Sequence, residues 1–287
     1  MVLCNKIIRL NPNGSIDTSF ITGIGFNDHT TALFLQADGK ILLGGVFTAY
    51  NGKIANRIIR LNSNGSVDLS FVSGNGFSTG GVNVIKVASN GSIMLGGAFS
   101  QKYNGSDVNR LVLLDSNGVI VIGFDIGSGP SSAAVYTIEY ALDGSWFIGG
   151  SFSIFESQNQ GRLAKLDPDG TLDIAYLTPG VGSDNAVYEL IALADNKSMT
   201  FGGFTRFNGV NSPRIARLLE DGTLDRTFNF TVAGANNIVI SAVIQQDGKI
   251  VIAGSFTSYN GIIANRITRV LADSAVGCYV YDWNSGE

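Results

Sequence analysis

The sequence is poor in the side chains that do most enzymatic chemistry. It has one histidine, His29, and two cysteines, Cys4 and Cys278, in 287 residues. A Ser-His-Asp or Cys-His triad built on His29 would need a nucleophile placed beside it, and no His/Cys cluster has zinc-ligand spacing. His29 reads as a surface residue in a loop between repeats. Two cysteines are no disulfide framework. They stand near opposite ends of the chain, so they are two free thiols or, where a ring brings the ends together, a pair. Charge is also scarce, at 15% Asp, Glu, Lys and Arg with a net charge of −4, against ~25% in an average domain. A basic footprint for nucleic acid is missing. No apolar run approaches the ~20 residues of a membrane-spanning helix, so neither a nucleic-acid partner nor membrane insertion is expected. The opening Met1-Val2-Leu3-Cys4-Asn5-Lys6 lacks the basic-then-apolar pattern of a signal peptide. The expected location is a virion or an extracellular surface reached by another route, such as host lysis, with the cytoplasm as the alternative.

Glycine is abundant, with 37 residues, and it marks a repeat. Asp38-Gly39-Lys40-Ile41-Leu42-Leu43-Gly44-Gly45-Val46-Phe47-Thr48 returns as Asp247-Gly248-Lys249-Ile250-Val251-Ile252-Ala253-Gly254-Ser255-Phe256-Thr257. Related segments begin at Asn90, Asp143 and Asn196. Their phenylalanines, Phe47, Phe99, Phe152, Phe204 and Phe256, are spaced 52, 53, 52 and 52 residues apart. A second anchor, a turn glycine, falls at Gly14, Gly65, Gly118, Gly170 and Gly222. Two anchors with one period identify tandem repeats. In the first full copy, apolar runs at 31–36, 40–46, 57–61 and 66–71 are too short for helices and are separated by Asp-Gly and Asn-Gly turns. The expected fold is therefore all-β, a five-bladed β-propeller of four-stranded antiparallel blades. Its single domain covers 1–273, and 274–287 form a C-terminal appendage whose Tyr279, Tyr281 and Trp283 dock on a partner or on the ring. The Gly44-Gly45 pair is expected to let neighbouring blades approach closely.

The third-strand motif occurs six times, since Lys6–Leu10 and Arg266–Val270 both match it, while the other strands occur five times. Two segments thus compete for one place. Closure of the last blade by an N-terminal strand at Ser15–Phe20 is the expected solution; a local fourth strand from Gly277–Trp283 is the other.

The segments Arg60-Leu61-Asn62-Ser63-Asn64-Gly65-Ser66-Val67-Asp68-Leu69-Ser70-Phe71 and Lys165-Leu166-Asp167-Pro168-Asp169-Gly170-Thr171-Leu172-Asp173 resemble the delta-60 repeat family, as do the Gly-Gly-x-Phe-Thr segments. The resemblance covers nearly the whole chain. It departs at Val121, which stands where Asp68 and Asp173 stand, and at Ser157-Gln158-Asn159, which replaces an Asn-Gly turn. It implies a propeller-like fold of the kind found in bacterial surface proteins and in phage tail or virion proteins. It implies no catalytic site.

Several residues still invite a chemical reading. Asp167, Asp169 and Asp173 put three carboxylates on one turn, which suits a calcium ion or simple turn stabilisation. An arginine recurs in every copy, at Arg57, Arg110, Arg162, Arg214 and Arg266. This set either pairs with turn carboxylates (Asp68, Asp173, Asp225) or backbone carbonyls, or offers forks to an anion or acidic glycan. Glu139 and Glu189 lie on innermost strands, as does Lys86; the two carboxylates serve blade packing or, less in keeping with the rest, glycoside hydrolysis. Asn13, Asn64, Asn90, Asn104, Asn196 and Asn229 begin Asn-x-Ser/Thr triplets that are read as turns. The loops 127–132 and 154–160 break the repeat and are where a unique site is expected. Together these features point to a non-enzymatic structural or binding module, a phage virion or tail component whose partners are other structural proteins of a larger assembly. A lectin-like module that binds surface glycan is the alternative, and a glycan-cleaving enzyme the third.

Overall fold

The computed structural model describes residues 6–131, 133–177, 181–193, 196–228 and 234–271. Cys4, Cys278, Asn229 and the proposed appendage 274–287 lie outside the described residues. The chain divides into two compact units, 1–124 and 125–287.

Strands pair where alternating or continuous apolar runs meet tight turns. In the first unit, Thr30–Leu35, Ile41–Gly45 and Ile58–Leu61 form one antiparallel sheet with Ile41–Gly45 in the middle. Val82–Val87, Ile93–Tyr103 and Ser106–Leu114 form the next. The second unit holds three more sheets of the same order. These are Val135–Tyr140, Trp146–Gly150 and Leu163–Leu166; Val187–Ala192, Ser198–Gly202 and Ile215–Leu218; and Val239–Ile244, Ile250–Gly254 and Ile267–Val270. No described residue is helical, so among the described residues no helix is long and apolar enough to cross a membrane.

The regular ladder has three strands, not four. The expected fourth strand, 66–71, contributes a single bridge, Leu61 to Val67, matched by Leu114–Ile120, Leu166–Leu172 and Leu218–Leu224. The cause is local: Asp68 Oδ1 takes the Ser70 N–H at 3.0 Å, and Phe71 N–H donates to Asp68 O at 3.3 Å. The backbone therefore turns after one extended pair. Beyond the ladder, most repeats extend into a short hairpin, such as Ala49–Tyr50 with Lys53–Ile54.

That hairpin turns through Asn51 at φ 49° and Gly52 at φ 72°, the two left-handed residues of a type I′ turn. In the third repeat the pair is Glu156 (φ 47°) and Ser157 (φ 66°), one residue earlier than the expected Ser157-Gln158-Asn159 replacement. A left-handed conformation costs an L-residue about 1–2 kcal/mol. Ser157→Gly is expected to raise stability by about 1 kcal/mol, seen as a higher melting temperature.

Within each unit the core lies between successive sheets. In the first unit, Leu42 and Ile58 of one sheet meet Phe77, Val82 and Ile85 of the next repeat. The two glycines of the pair have different tasks. A Cβ at Gly44 would come within 2.6 Å of Val82 Cγ1, in the next repeat. A Cβ at Gly45 would collide with the carbonyl of His29, in its own sheet. The first place tolerates change where its neighbour compensates: Phe201 stands there in the fourth repeat, and Ala242 fills the facing position that Ile85 and Leu190 hold elsewhere. The repeated phenylalanines Phe47, Phe99, Phe152, Phe204 and Phe256 are all fully buried.

Ile267–Val270 pairs with Ile250–Gly254, so the last sheet takes its own third strand. Within the first unit, Ser15–Phe20 repeats the place of 66–71: Ile16 bridges Leu10 and Asp17 N–H donates to Arg9 O at 2.9 Å.

Candidate functional site

The recurrent arginines start the third strands, and each is left-handed, with φ of 70° at Arg57, 60° at Arg110, 71° at Arg162 and 72° at Arg214 and Arg266. Their guanidinium groups reach backbone and amide oxygens. Arg57 donates through Nε to Gly80 O and through Nη1 to Phe77 O, both at 2.6 Å and both in the following repeat. Arg162 Nη1 donates to Ser183 O at 2.9 Å. Arg214 donates to Gly203 O and to Phe204 O, and Arg110 to Asn109 Oδ1. Arg266 is exposed. Where the fork spans two repeats, it ties the start of one repeat's third strand to the loop that leads into the next repeat's first strand.

A different set of basic residues holds the turn carboxylates. Arg9 Nε donates to Asp17 Oδ2 at 2.7 Å, Arg60 to Asp68 at 2.7 Å and Arg217 to Asp225 at 2.9 Å. The other oxygen of each carboxylate accepts N–H and hydroxyl bonds from Ser19, Ser70 or Thr227. Each guanidinium also lies 4.8 to 4.9 Å from the ring centre of Phe20, Phe71 or Phe228. Burial works against ionisation of Asp68, yet the Ser70 bonds with Lys40 and Arg60 outweigh it and hold the carboxyl far below the usual carboxylate range. Asp225 is lowered in the same way by Thr227 and Arg217. Lys165 plays a looser version of the role, 3.8 Å from Asp173. The departure at Val121 now has a reason: its partner eight residues back is Leu113, so an ion pair has been exchanged for two apolar residues together. Sequence reading picked out the other arginine set; the signal available was the constant eight-residue spacing from basic residue to aspartate.

The structure spends the proposed calcium carboxylates on turns. Asp169 Oδ1 accepts from Thr171 N at 3.0 Å and Oγ1 at 2.7 Å. Asp173 Oδ1 accepts from Ala175 N at 3.0 Å and Tyr176 N at 3.2 Å. Burial and the charges of Asp173 and Asp169 raise the pKa of Asp167. Among the described residues, no group of three or more His, Cys, Asp and Glu is placed to hold a metal ion, so Asp167, Asp169 and Asp173 do not converge as ligands. His29 is exposed and bonds Asp28 at 2.7 Å.

Polar chemistry does converge on the innermost strands of the second unit. Thr137, Glu189 and Ser241 occupy one position in three successive repeats. Glu189 Oε1 accepts from Thr137 Oγ1 at 3.2 Å, and Oε2 from Ser241 Oγ at 3.2 Å. Burial pushes the Glu189 carboxyl up, and the charge of Glu139 adds to it. Tyr136 and Tyr188 stack nearby in sequence, with ring centres 5.4 Å apart. In register Glu139 lies level with Ile191, two residues along from Glu189 on the same strand face, so the two carboxylates are not equivalent. An acid with a raised folded pKa destabilises the fold when ionised. Glu189→Gln is therefore expected to raise the melting temperature at neutral pH, with the gain shrinking as pH falls through the carboxylate range. Thermal melts across pH measure it.

A motif overlooked in the sequence joins the repeats: Gly23-x-Gly25, Gly74-x-Gly76 and Gly127-x-Gly129, all left-handed. The turn asparagines lock it, with Asn51 Oδ1 accepting from Gly25 N at 3.1 Å and Asn104 Oδ1 from Gly76 N at 2.9 Å. The turn Asn-Gly thus serves a distant loop as well as its own hairpin.

No curated protein matches the sequence. Among solved structures, virginiamycin B lyase from Staphylococcus aureus is 16% identical, with a TM-score of 0.54 over 90% of this chain and 72% of that one. The WD40 β-propeller domain of Doa1 is 12% identical, with a TM-score of 0.53 over 92% of this chain and 67% of that one. The extracellular domain of the putative one-component system BT4673 from B. thetaiotaomicron is 13% identical, with a TM-score of 0.51 over 99% of this chain and 34% of that one. At such identities the likeness is one of fold: all-β and propeller-like. The family model described as a domain of unknown function (DUF5122) beta-propeller matches residues 2–20, 36–71, 88–120, 142–173, 193–228 and 245–276. These six segments coincide with the repeat read from the phenylalanine and glycine anchors, and the chain belongs to the DUF5122 β-propeller family, a relative of the delta-60 repeats that its segments resemble.

Proposed function

We propose that the chain is a non-enzymatic structural and binding module, a five-bladed propeller in which each repeat makes one blade, and that it works in a larger assembly such as a phage virion or tail. The observation that carries this reading is where the repeated polar groups go. Arg60, Asp68, Arg217, Asp225 and the turn asparagines are bonded within and between repeats, and the side chains left most exposed include the aliphatic Leu69, Ile122 and Ile174 at one repeated turn position. Such a surface suits protein contacts better than turnover. The resemblance to repeats of phage tail and virion proteins supplies the assembly. A glycan-binding reading is favoured by one feature, the Tyr136–Tyr188 pair in the same strands as Glu139 and Glu189. Full-length protein on a glycan array, with and without calcium, separates the two. A blank array together with recovery of the chain in particles supports assembly. Selective glycan binding by a chain found only free in the cytosol would sink it.

A further inference from the structure

Among the described residues, five turns of one kind follow the third-strand motif. In each, the glycine N–H donates to the carbonyl of the first turn residue: Gly14 to Asn11, Gly65 to Asn62, Gly118 to Asp115, Gly170 to Asp167 and Gly222 to Leu219, at 2.9 to 3.1 Å. Their first two residues differ. They are Asn11-Pro12, Asn62-Ser63, Asp115-Ser116, Asp167-Pro168 and Leu219-Glu220. Proline suits the second place of such a turn. One of these turns joins a carboxylic acid to a proline, and Asp167-Pro168 is the single Asp-Pro bond in the sequence.

The Asp167 carboxyl is free for chemistry where its counterpart is not. Asp115 Oδ1 accepts the N–H of Asn117 at 2.8 Å and of Val119 at 2.9 Å. In the turn at 167–170 the equivalent N–H, that of Thr171, goes to Asp169 Oδ1 instead, and among the described residues the Asp167 carboxyl has no hydrogen-bond partner. Partial burial, followed by the charges of Asp173 and Asp169, raises its pKa; Asp143 adds to this and Lys165 opposes it. The carboxyl therefore holds its proton to a higher pH than it would in the unfolded chain. Pro168 and Asp169 are exposed, so water reaches the bond.

We propose that the Asp167-Pro168 peptide bond cleaves itself in the folded protein at mildly acidic pH, with the Asp167 side chain as both acid and nucleophile. A carboxyl oxygen of Asp167 forms a bond to the Asp167 carbonyl carbon. The bond from that carbon to the Pro168 nitrogen breaks, and the carboxyl proton goes to that nitrogen, which leaves as a secondary amine. The five-membered cyclic anhydride left on residue 167 takes up one water and opens to two carboxyl groups. Attack within one residue replaces a bimolecular encounter. The Gly170 N–H, 2.9 Å from the carbonyl oxygen, polarises the group that is attacked. Asn11-Pro12 has the same turn without the acid, and Asp115-Ser116 has the acid without the proline. The cut chain keeps its packing, because Phe147 and Leu163 before the bond share a core with Tyr176, Val187 and Leu190 after it. This chemistry is independent of the assembly reading.

The test holds the purified full chain at a series of pH values from about 3 to 7, spanning the ordinary aspartate pKa of ~3.9, and reads intact mass after denaturation. A parallel series is kept in denaturant throughout. The expected result is two fragments, 1–167 and 168–287, formed faster as pH falls and faster in the folded chain than in the unfolded one at the same pH. Pro168→Ala and Asp167→Glu, which retain a carboxyl at 167, are each expected to lose the cleavage; in the second the ring that must close is one atom larger. Asp169→Asn keeps the acceptor for Thr171 and removes one charge, so the pH profile should move to lower pH. An intact chain across the series, equal rates in folded and unfolded chains, fragments that persist in both Pro168→Ala and Asp167→Glu, or equal cutting at Asn11-Pro12 or Asp115-Ser116 would each overturn the proposal.

Discussion

Asp68→Ala is expected to cost roughly 3–5 kcal/mol of folding stability, because it leaves the Arg60 guanidinium buried without its counter-charge. Both partners are almost wholly buried, and Arg60 is also committed to Ser116 O at 2.6 Å and to Ser70 Oγ at 3.2 Å. It cannot swing out to water without dismantling those bonds. The chain itself supplies the rescue, since Leu113 and Val121 occupy the same two places in the next repeat. The double variant Arg60→Leu, Asp68→Val is expected to recover most of the loss, as replacing a buried pair by apolar groups often does. Chemical denaturation of the wild type, the two single variants and the double variant closes the cycle. Additive losses would show that the pair is not a unit. The pH dependence has a definite sign. A carboxyl held low in the folded state contributes stability above the unfolded carboxylate pKa of ~4, and loses it as pH falls toward the folded value. The wild-type advantage over Asp68→Ala should therefore narrow in acid, whereas Glu189 runs the other way.

Gly97→Ala is expected to cost at least about 3 kcal/mol, at or beyond the upper end of ordinary overpacking. The added Cβ would collide with the Gly81 carbonyl oxygen and sit 3.0 Å from Val82 Cα. Both are backbone, so no rotamer change relieves the clash. The first strand bulges here, between Val82 and Val84, and brings that carbonyl over the glycine. Gly45, Gly150, Gly202 and Gly254 meet the same obstacle, at the carbonyls of His29, Ala134, Ala186 and Ile238. Gly44→Ala is the control. Its nearest neighbours are side-chain atoms of Val82 and Ile85 rather than backbone, and Ala253 stands at the same place in the last repeat. Its loss should stay within the ordinary overpacking range of about 1–3 kcal/mol, below that of Gly97→Ala. Equal losses at Gly44 and Gly97 would refute the distinction.

Sequence alone determined what short-range chemistry dictates. The period, the apolar strands, the Asp-Gly and Asn-Gly turns and the all-β class follow from spacing, alternation and the left-handed freedom of glycine, and none needs a distant partner. The expected fourth strand failed for a local reason too subtle for pattern reading, the capture of the Ser70 N–H by Asp68. Tertiary structure decided which repeated polar residue faced what. Arg57 and Arg60 lie three residues apart and both recur, yet one reaches carbonyls of the next repeat and the other a buried carboxylate. It also decided that the Asp167–Asp173 turn caps its own backbone, that Glu189 lies between hydroxyls of two neighbouring repeats, and that Ile267–Val270 pairs with the last hairpin. Such choices depend on which surfaces meet when whole sheets stack. Contacts between residues some fifty positions apart leave no trace in the spacing of a single strand.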